Sequence, residues 1–272
     1  MQRLVTMSLV TLTALLMVGA PAASAAIPTA TAIRVITYAA LGDSYSAGVG
    51  TRLDYPSSGA CRRSPLAYPP LAARNQHSAL TFLACSGATT SAVQITQAPH
   101  IPSDTDLVTI TVGGDDVGFT TVVENCSSRP ADQAKCQAAI SAGETKIRTV
   151  LPARLDTTFT AIRMHAPRAR LVVLGYPHLF GSGPCAAPGL PPAAKRSEID
   201  AGTDMLDTVI AARARAAGAA YVDVRTLFQY HGACQGLLQR WINPPTLPPS
   251  DSYHPNIRGQ DGYVGALLGS ST

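Results

Sequence analysis

Ile33-Arg34-Val35-Ile36-Thr37-Tyr38-Ala39-Ala40-Leu41 runs directly into Gly42-Asp43-Ser44-Tyr45-Ser46-Ala47-Gly48. The first stretch is apolar and rich in β-branched side chains, with no polar alternation beyond Arg34, and reads as a strand buried on both faces. The second is short, polar and bounded by glycines, so it reads as a turn that opens a helix. A serine at that junction meets free backbone N–H groups and the positive end of the helix dipole, which favour negative charge developing beside its hydroxyl. Taken alone, Gly-Asp-Ser is also the mark of an ordinary helix N-cap, and the rest of the chain decides between the two.

Four further apolar runs follow: Ala79 to Ala84, Asp106 to Val112, Ala169 to Tyr176 and Ala219 to Val224. Each ends in Gly, Pro, Cys or polar residues, and helix-length segments lie between them. Strand and helix alternating in this way predict a five-stranded parallel sheet covered by helices on both faces. The clearest helix is expected from Ser197 to Ala217: Ser197 and Asp200 sit at near capping-box spacing, Ile199, Leu206, Val209 and Ile210 share a face, and Gly218 supplies the stop. A second helical stretch carries Ile147, Leu151, Leu155, Phe159 and Ile162, with Pro152 either kinking or starting it. The proline-rich segments Pro188 to Pro192 and Pro244 to Pro249 read as surface loops.

The 272 residues are 46% apolar and 14% charged, enough for one substantial core and too apolar for a disordered chain. Lys and Arg number 21 against 17 Asp and Glu, with no basic run that would track phosphates, so nucleic acid is not an expected partner. Met1-Gln2-Arg3, the apolar Leu4 to Val18 and the small residues Ala20 to Ala25 read as a secretory signal peptide cut after Ala25, which leaves residues 26–272 as a single exported domain. Export makes disulfides the expected state of Cys61, Cys85, Cys126, Cys136, Cys185 and Cys234. Six cysteines permit about fifteen complete pairings, and their spacing chooses none of them. No two stand at C-x-x-C spacing and no His clusters with them, so a metal site is not expected.

A serine needs a base to become a nucleophile. Asp251-Ser252-Tyr253-His254-Pro255-Asn256 offers one, with a carboxylate three residues before the imidazole. His77, His100, His165, His178 and His231 have no acid within three positions, which makes His254 the outlier. Ligands of open parallel sheets bind at the carboxyl ends of strands, and there the chain places Cys85-Ser86-Gly87-Ala88-Thr89 and Gly113-Gly114-Asp115-Asp116.

With these four segments in this order, the chain resembles the secreted actinobacterial GDSL, or SGNH, serine hydrolases over essentially all of its mature length. The resemblance implies a flavodoxin-like three-layer α/β/α sandwich and no cofactor. It implies Ser44 as nucleophile, His254 as base and Asp251 as the group that orients the ring. It also implies an oxyanion hole from the amides of Ser44 and Gly87 and a side chain at position 115. Disulfides in similar enzymes join sequence neighbours, which implies Cys61 with Cys85, Cys126 with Cys136 and Cys185 with Cys234. The implied substrate is an acyl ester, of lipid in the style of the family, with transient contact at a lipid surface; the disulfides and single core point to a self-sufficient monomer.

One position departs from the pattern: the family carries Gly-Gly-Asn-Asp, and Asp115 stands in place of the Asn. An ionised Asp only accepts hydrogen bonds and adds negative charge beside an oxyanion, whereas a buried and protonated one donates like the amide it replaces. Two other readings therefore stay open. One is a carbohydrate O-deacetylase or acyltransferase on the same fold, although 5 Phe, 9 Tyr and 1 Trp give few aromatic platforms for sugars. The other is an exported binding protein whose active site Asp115 has disabled.

Overall fold

The computed structural model describes residues 34–126, 133–185 and 187–270, so the segment read as a signal peptide lies outside the described residues. The five strands are β1 (Thr37–Gly42), β2 (Ala79–Phe82), β3 (Leu107–Thr111), β4 (Arg170–Leu174) and β5 (Ala220–Val222). All pair in parallel, in the order β2-β1-β3-β4-β5. Four of the five expected runs contain one strand each, trimmed at the ends, and the first overlaps β1, which runs one residue further to Gly42. At the first, Val35 and Ile36 stay outside the sheet, because pairing begins at Thr37, whose amide donates to the Asp106 carboxylate at 2.9 Å.

From β1 the chain crosses to one side to form β2, then returns past β1 to lay down β3, β4 and β5 on the other. Right-handed crossovers running in opposite directions put their helices on opposite faces of the sheet. Helix α1 (Ser44–Ala47) is a single turn, and α2 (Tyr68–Asn75) leads into β2. Helices α3 (Phe119–Cys126), α4 (Gln133–Thr149) and α5 (Leu151–His165) connect β3 to β4. Helix α6 (Ala193–Ala216) connects β4 to β5, and α7 (Ile257–Gly269) follows β5 and packs against α2. Among the described residues no helix is long and apolar enough to cross a membrane.

Two helix boundaries differ from the sequence expectation. Helix α6 begins at Ala193, directly after Pro192, so Ser197 lies inside it and returns its hydroxyl to the Ala193 carbonyl at 3.2 Å. Asp200 serves a tertiary contact instead of a cap, accepting the Leu179 amide at 2.9 Å. The stretch from Ile147 to Ile162 is two helices divided at Val150, with Pro152 in the first turn of the second, where its missing amide costs nothing.

The core is continuous through the sheet. Tyr38, Val108, Ile110, Leu171 and Val173 are essentially inaccessible, and Leu151, Leu155, Phe159 and Ile210 cover one face. On the other, Tyr68 of α2 stacks on Tyr263 of α7, with ring centroids 5.6 Å apart. Of three disulfides, Cys61–Cys85 and Cys185–Cys234 join loops that follow the strands, and Cys126–Cys136 joins α3 to α4.

Candidate active site

Reversal of strand order between β1 and β3 opens a crevice at their carboxyl ends, the place where doubly wound sheets hold ligands. Ser44 follows β1 and Asp115 follows β3, so the topology alone brings them together. The close approach is enforced at Gly42, which has φ +117° and whose added Cβ would lie 2.3 Å from the Thr111 carbonyl. Gln97 holds this turn from the side, accepting the Gly42 amide at 2.7 Å and donating to its carbonyl at 2.9 Å.

Asp43 caps the serine turn by accepting the Tyr45 amide at 3.0 Å. Its carboxylate also accepts from the Thr111 hydroxyl at 2.7 Å and from the Tyr176 hydroxyl, which in turn accepts the Gly114 amide at 3.2 Å. One buried carboxylate therefore ties the ends of β1, β3 and β4 into a single hydrogen-bonded unit. Burial raises its pKa to about 6 even though all three donors pull it down.

The base returns from the far end of the chain. Asn243 accepts the Tyr253 amide at 2.9 Å and donates its own amide to the His254 carbonyl at 3.0 Å, and its side chain donates to the Gly50 carbonyl at 2.9 Å. The Tyr45 hydroxyl donates to the Tyr253 carbonyl at 2.8 Å. Helix α7 begins at once, capped by Asn256, and its packing on α2 carries the loop back to Ser44. His254 Nε2 lies 2.8 Å from Ser44 Oγ.

The other face of the imidazole departs from the expectation. His254 Nδ1 is 3.0 Å from the main-chain carbonyl of Ser252, a group that only accepts, so Nδ1 carries the proton and Nε2 is left free to accept from Ser44. The Asp251 carboxylate is turned away: it accepts from Arg62 Nη2 at 2.7 Å, and Arg52 Nε approaches it at 3.9 Å. Arg62 also donates to Asp54 at 3.0 Å and to Ser250 at 2.9 Å, and it follows Cys61 of the Cys61–Cys85 disulfide. Asp251 thus anchors the histidine turn to the loop that carries Gly87, while Ser252 holds the ring. Burial pulls the His254 pKa down to about 4; the Ser252 carbonyl and the Asp251 charge pull upward, and Arg62 opposes them.

Gly87 has φ +77° and stands exposed on the rim, with nothing near the position of a Cβ, and among the described residues its amide has no main-chain partner. The loop behind it is fixed by Asp116, which accepts the Thr90 amide at 2.8 Å and hydroxyl at 2.6 Å and pairs with Arg154 at 3.2 Å. Asp115, one residue earlier, has no hydrogen-bond or ion-pair partner for its carboxyl among the described residues. Desolvation, then the charges of Asp43 and Asp116, raise its pKa to about 7. Ser44, Gly87, Asp115, Phe119, Thr246 and His254 are among the residues lining one cleft of ≈ 530 Å³. Among the described residues no group of three His, Cys, Asp or Glu side chains is arranged to hold a metal ion.

Gln97, Tyr176, Arg62, Asn243 and the Ser252 carbonyl had not been singled out from the sequence. Tyr176 alone left a trace there, since it stands at the carboxyl end of an apolar run; the others act through partners remote in the chain or through the backbone.

Comparison with known proteins agrees with this fold. A lipase of Streptomyces rimosus is 42% identical over 252 residues, covering 92% of this chain and 91% of the relative. Lipase 1 of Streptomyces coelicolor is 40% identical over 93% of this chain and 92% of its own length. The crystal structure of the extracellular lipase of Streptomyces rimosus superposes with a TM-score of 0.81 over 86% of this chain and 99% of that one, at 41% identity. The phospholipase A1 of Streptomyces albidoflavus superposes equally well, with a TM-score of 0.81 at 40% identity over 87% and 99% of the two chains. The family model of the GDSL-like lipases and acylhydrolases matches residues 40–261, and the chain belongs to that family.

Proposed function

We propose that the protein is a secreted serine ester hydrolase that cleaves acyl esters of lipids. The single observation that carries this reading is the 2.8 Å contact of His254 Nε2 with Ser44 Oγ, in one cleft with Gly87 and Asp115. Ser44 Oγ attacks the ester carbonyl while Nε2 takes its proton, and the carbonyl oxygen becomes the oxyanion of a tetrahedral intermediate. The amides of Ser44 and Gly87 donate to that oxygen, and a neutral Asp115 adds its O–H. Collapse of the intermediate expels the alcohol, which receives the proton from Nε2. Water, deprotonated by the same nitrogen, then releases the acid and restores Ser44.

The imidazolium formed in each half-reaction keeps its Nδ1–H on the Ser252 carbonyl. A carbonyl dipole stabilises that cation less than a carboxylate does, so this site relies on a fixed ring and on the oxyanion donors. Substituting Ser44→Ala abolishes hydrolysis of p-nitrophenyl butyrate and labelling by a fluorophosphonate, whereas persistent turnover in that variant overturns the reading. Absence of labelling in the unsubstituted protein favours the binding-protein reading instead.

Export is supported by the extracellular lipase among the relatives; cleavage after Ala25 rests on the small residues Ala20 to Ala25, and the intact mass of the protein in the medium tests it. Contact with a lipid surface is supported by Leu237, Leu238 and Leu247, which are 71%, 77% and 80% exposed. Arg52, Arg240 and Arg258 line a depression with Leu237 and Ile257, and Arg52 reaches Thr246 on the rim of the catalytic cleft. Leucines beside a basic rim match an anionic lipid surface.

A further inference from the structure

Behind the catalytic cleft lies a second, narrow crevice of ≈ 70 Å³, walled by Val122 of α3, Ile140 and Ile147 of α4, and Ile199 and Leu206 of α6. Three glycines shape it, two by allowing close packing and one by leaving open space. Gly114 and Gly143 let the Gly114–Val117 turn and α4 approach, a Cβ at Gly143 lying 3.3 Å from the Val117 carbonyl, and at Gly202 nothing stands within 4 Å. Among its walls only Glu144, Glu198 and Thr203 have polar side-chain ends. Glu144 pairs with Arg148 and Glu198 with Lys195, each at 3.0 Å.

One side chain separates the crevice from the cleft. Phe119 lines both, and its ring stands edge-on to His254 with centroids 6.0 Å apart and to Tyr45 with centroids 6.2 Å apart. A narrow apolar slot that begins one ring away from the nucleophile fits an alkyl chain. A sugar would leave its hydroxyls without partners there. A water needs about 10–15 Å³ of such space, so a slot of ≈ 70 Å³ has room for a short run of chain carbons.

We propose that this crevice, gated by Phe119, is the distal acyl-chain site of the enzyme and that Gly202 sets how much of a long chain it admits. The inference rests on the ester-hydrolase reading. It distinguishes the acyl part of the ester, threaded past Phe119, from the alcohol part, which stays in the open cleft near Thr246 and Pro249. The Cys126–Cys136 disulfide ties α3 to α4 and keeps the two walls together.

The test compares kcat/KM for p-nitrophenyl acetate, butyrate, octanoate and palmitate in the mature protein and three variants. Gly202→Leu places an isobutyl group in the slot and raises helix propensity, so folding is retained. Val122→Phe narrows the slot from the opposite wall. Ala201→Leu adds the same bulk on the exposed side of α6 and serves as the control. The expected result is a fall of at least about tenfold in the octanoate-to-acetate ratio in both plugged variants, and no change of that ratio in Ala201→Leu. An unchanged ratio in Gly202→Leu and Val122→Phe, with acetate hydrolysis still dependent on Ser44, overturns the crevice while leaving the hydrolase reading intact. Absence of Ser44-dependent turnover of every ester refutes both.

Discussion

Replacing Asp115 with Asn should remove the alkaline limb of the pH profile. In free enzyme two groups set the profile of kcat/KM. His254 must be neutral to accept the Ser44 proton, and burial lowers its pKa to about 4, so activity rises through that pH and is then sustained. Asp115 must be protonated to donate to the oxyanion. Its pKa is raised to about 7 by desolvation and by the neighbouring Asp43 and Asp116 charges, so activity falls as pH rises through that value. The two limbs enclose an optimum near pH 5 to 6, unusually acidic for a serine hydrolase with a free histidine base. About two pH units above the midpoint only about 1% of Asp115 retains its proton. Loss of one oxyanion donor costs about 100-fold to 1,000-fold in rate, so the ionised form contributes little and the profile keeps falling over that range. An Asn amide donates at every pH. Asp115→Asn should therefore match the wild type near pH 5 within about tenfold and exceed it about 100-fold near pH 9. The assay is initial-rate hydrolysis of p-nitrophenyl butyrate from about pH 4 to about pH 9, corrected for spontaneous hydrolysis, with thermal melts at each pH to separate unfolding. An alkaline limb that persists in Asp115→Asn with the same midpoint, or a wild-type profile that climbs through neutrality to a plateau, refutes the protonated-donor argument.

The ring-holding role of the Ser252 carbonyl predicts that Asp251→Asn, which keeps a hydrogen bond to Arg62, lowers kcat by less than about tenfold. A carboxylate bonded to Nδ1 would instead cost about 10,000-fold on amidation, and a loss of that size would return Asp251 to the orienting role. Contact with a lipid surface predicts that vesicles of phosphatidylglycerol pellet the protein better than phosphatidylcholine vesicles do, that salt weakens this, and that Leu237→Ser with Leu238→Ser abolishes it. Equal recovery in all cases would leave the exposed leucines without that role.

The strands were legible because a parallel sheet covered on both faces needs side chains that bury on either side, and such runs stand out without any periodicity. Strand order was not a property of any one run, yet the turn residues after β1 and β3 already marked the ends that the reversal brings together. The Ser197 helix start misled because Ser and Asp three residues apart also occur inside helices, where Ser197 returns its hydroxyl to Ala193 and Asp200 serves the Leu179 loop. Asp251 misled for a related reason. A carboxylate three residues before a histidine can meet the ring, but whether it does depends on what competes for it, and the competitor is Arg62, 189 residues away in sequence. Nothing local announces that pairing, and nothing in a side-chain alphabet announces a main-chain carbonyl as the ring's partner.

The same competition explains how Asp can stand at position 115 in an otherwise intact site. Asp251 and Asp116 each pair with an arginine, Arg62 and Arg154 respectively, whose charge offsets their own. Among the described residues Asp43 has three donors but no cation, and Asp115 has neither. Charge in this cleft is consequently least favourable at Asp115, because ionising it adds a desolvated carboxylate beside Asp43 and Asp116. The proton that keeps it neutral is also the one an oxyanion would accept. An arginine introduced within reach of Asp115 would pair with it, remove that proton and turn the proposed donor into an acceptor, so the proposed oxyanion site depends on Asp115 facing no cation among the described residues.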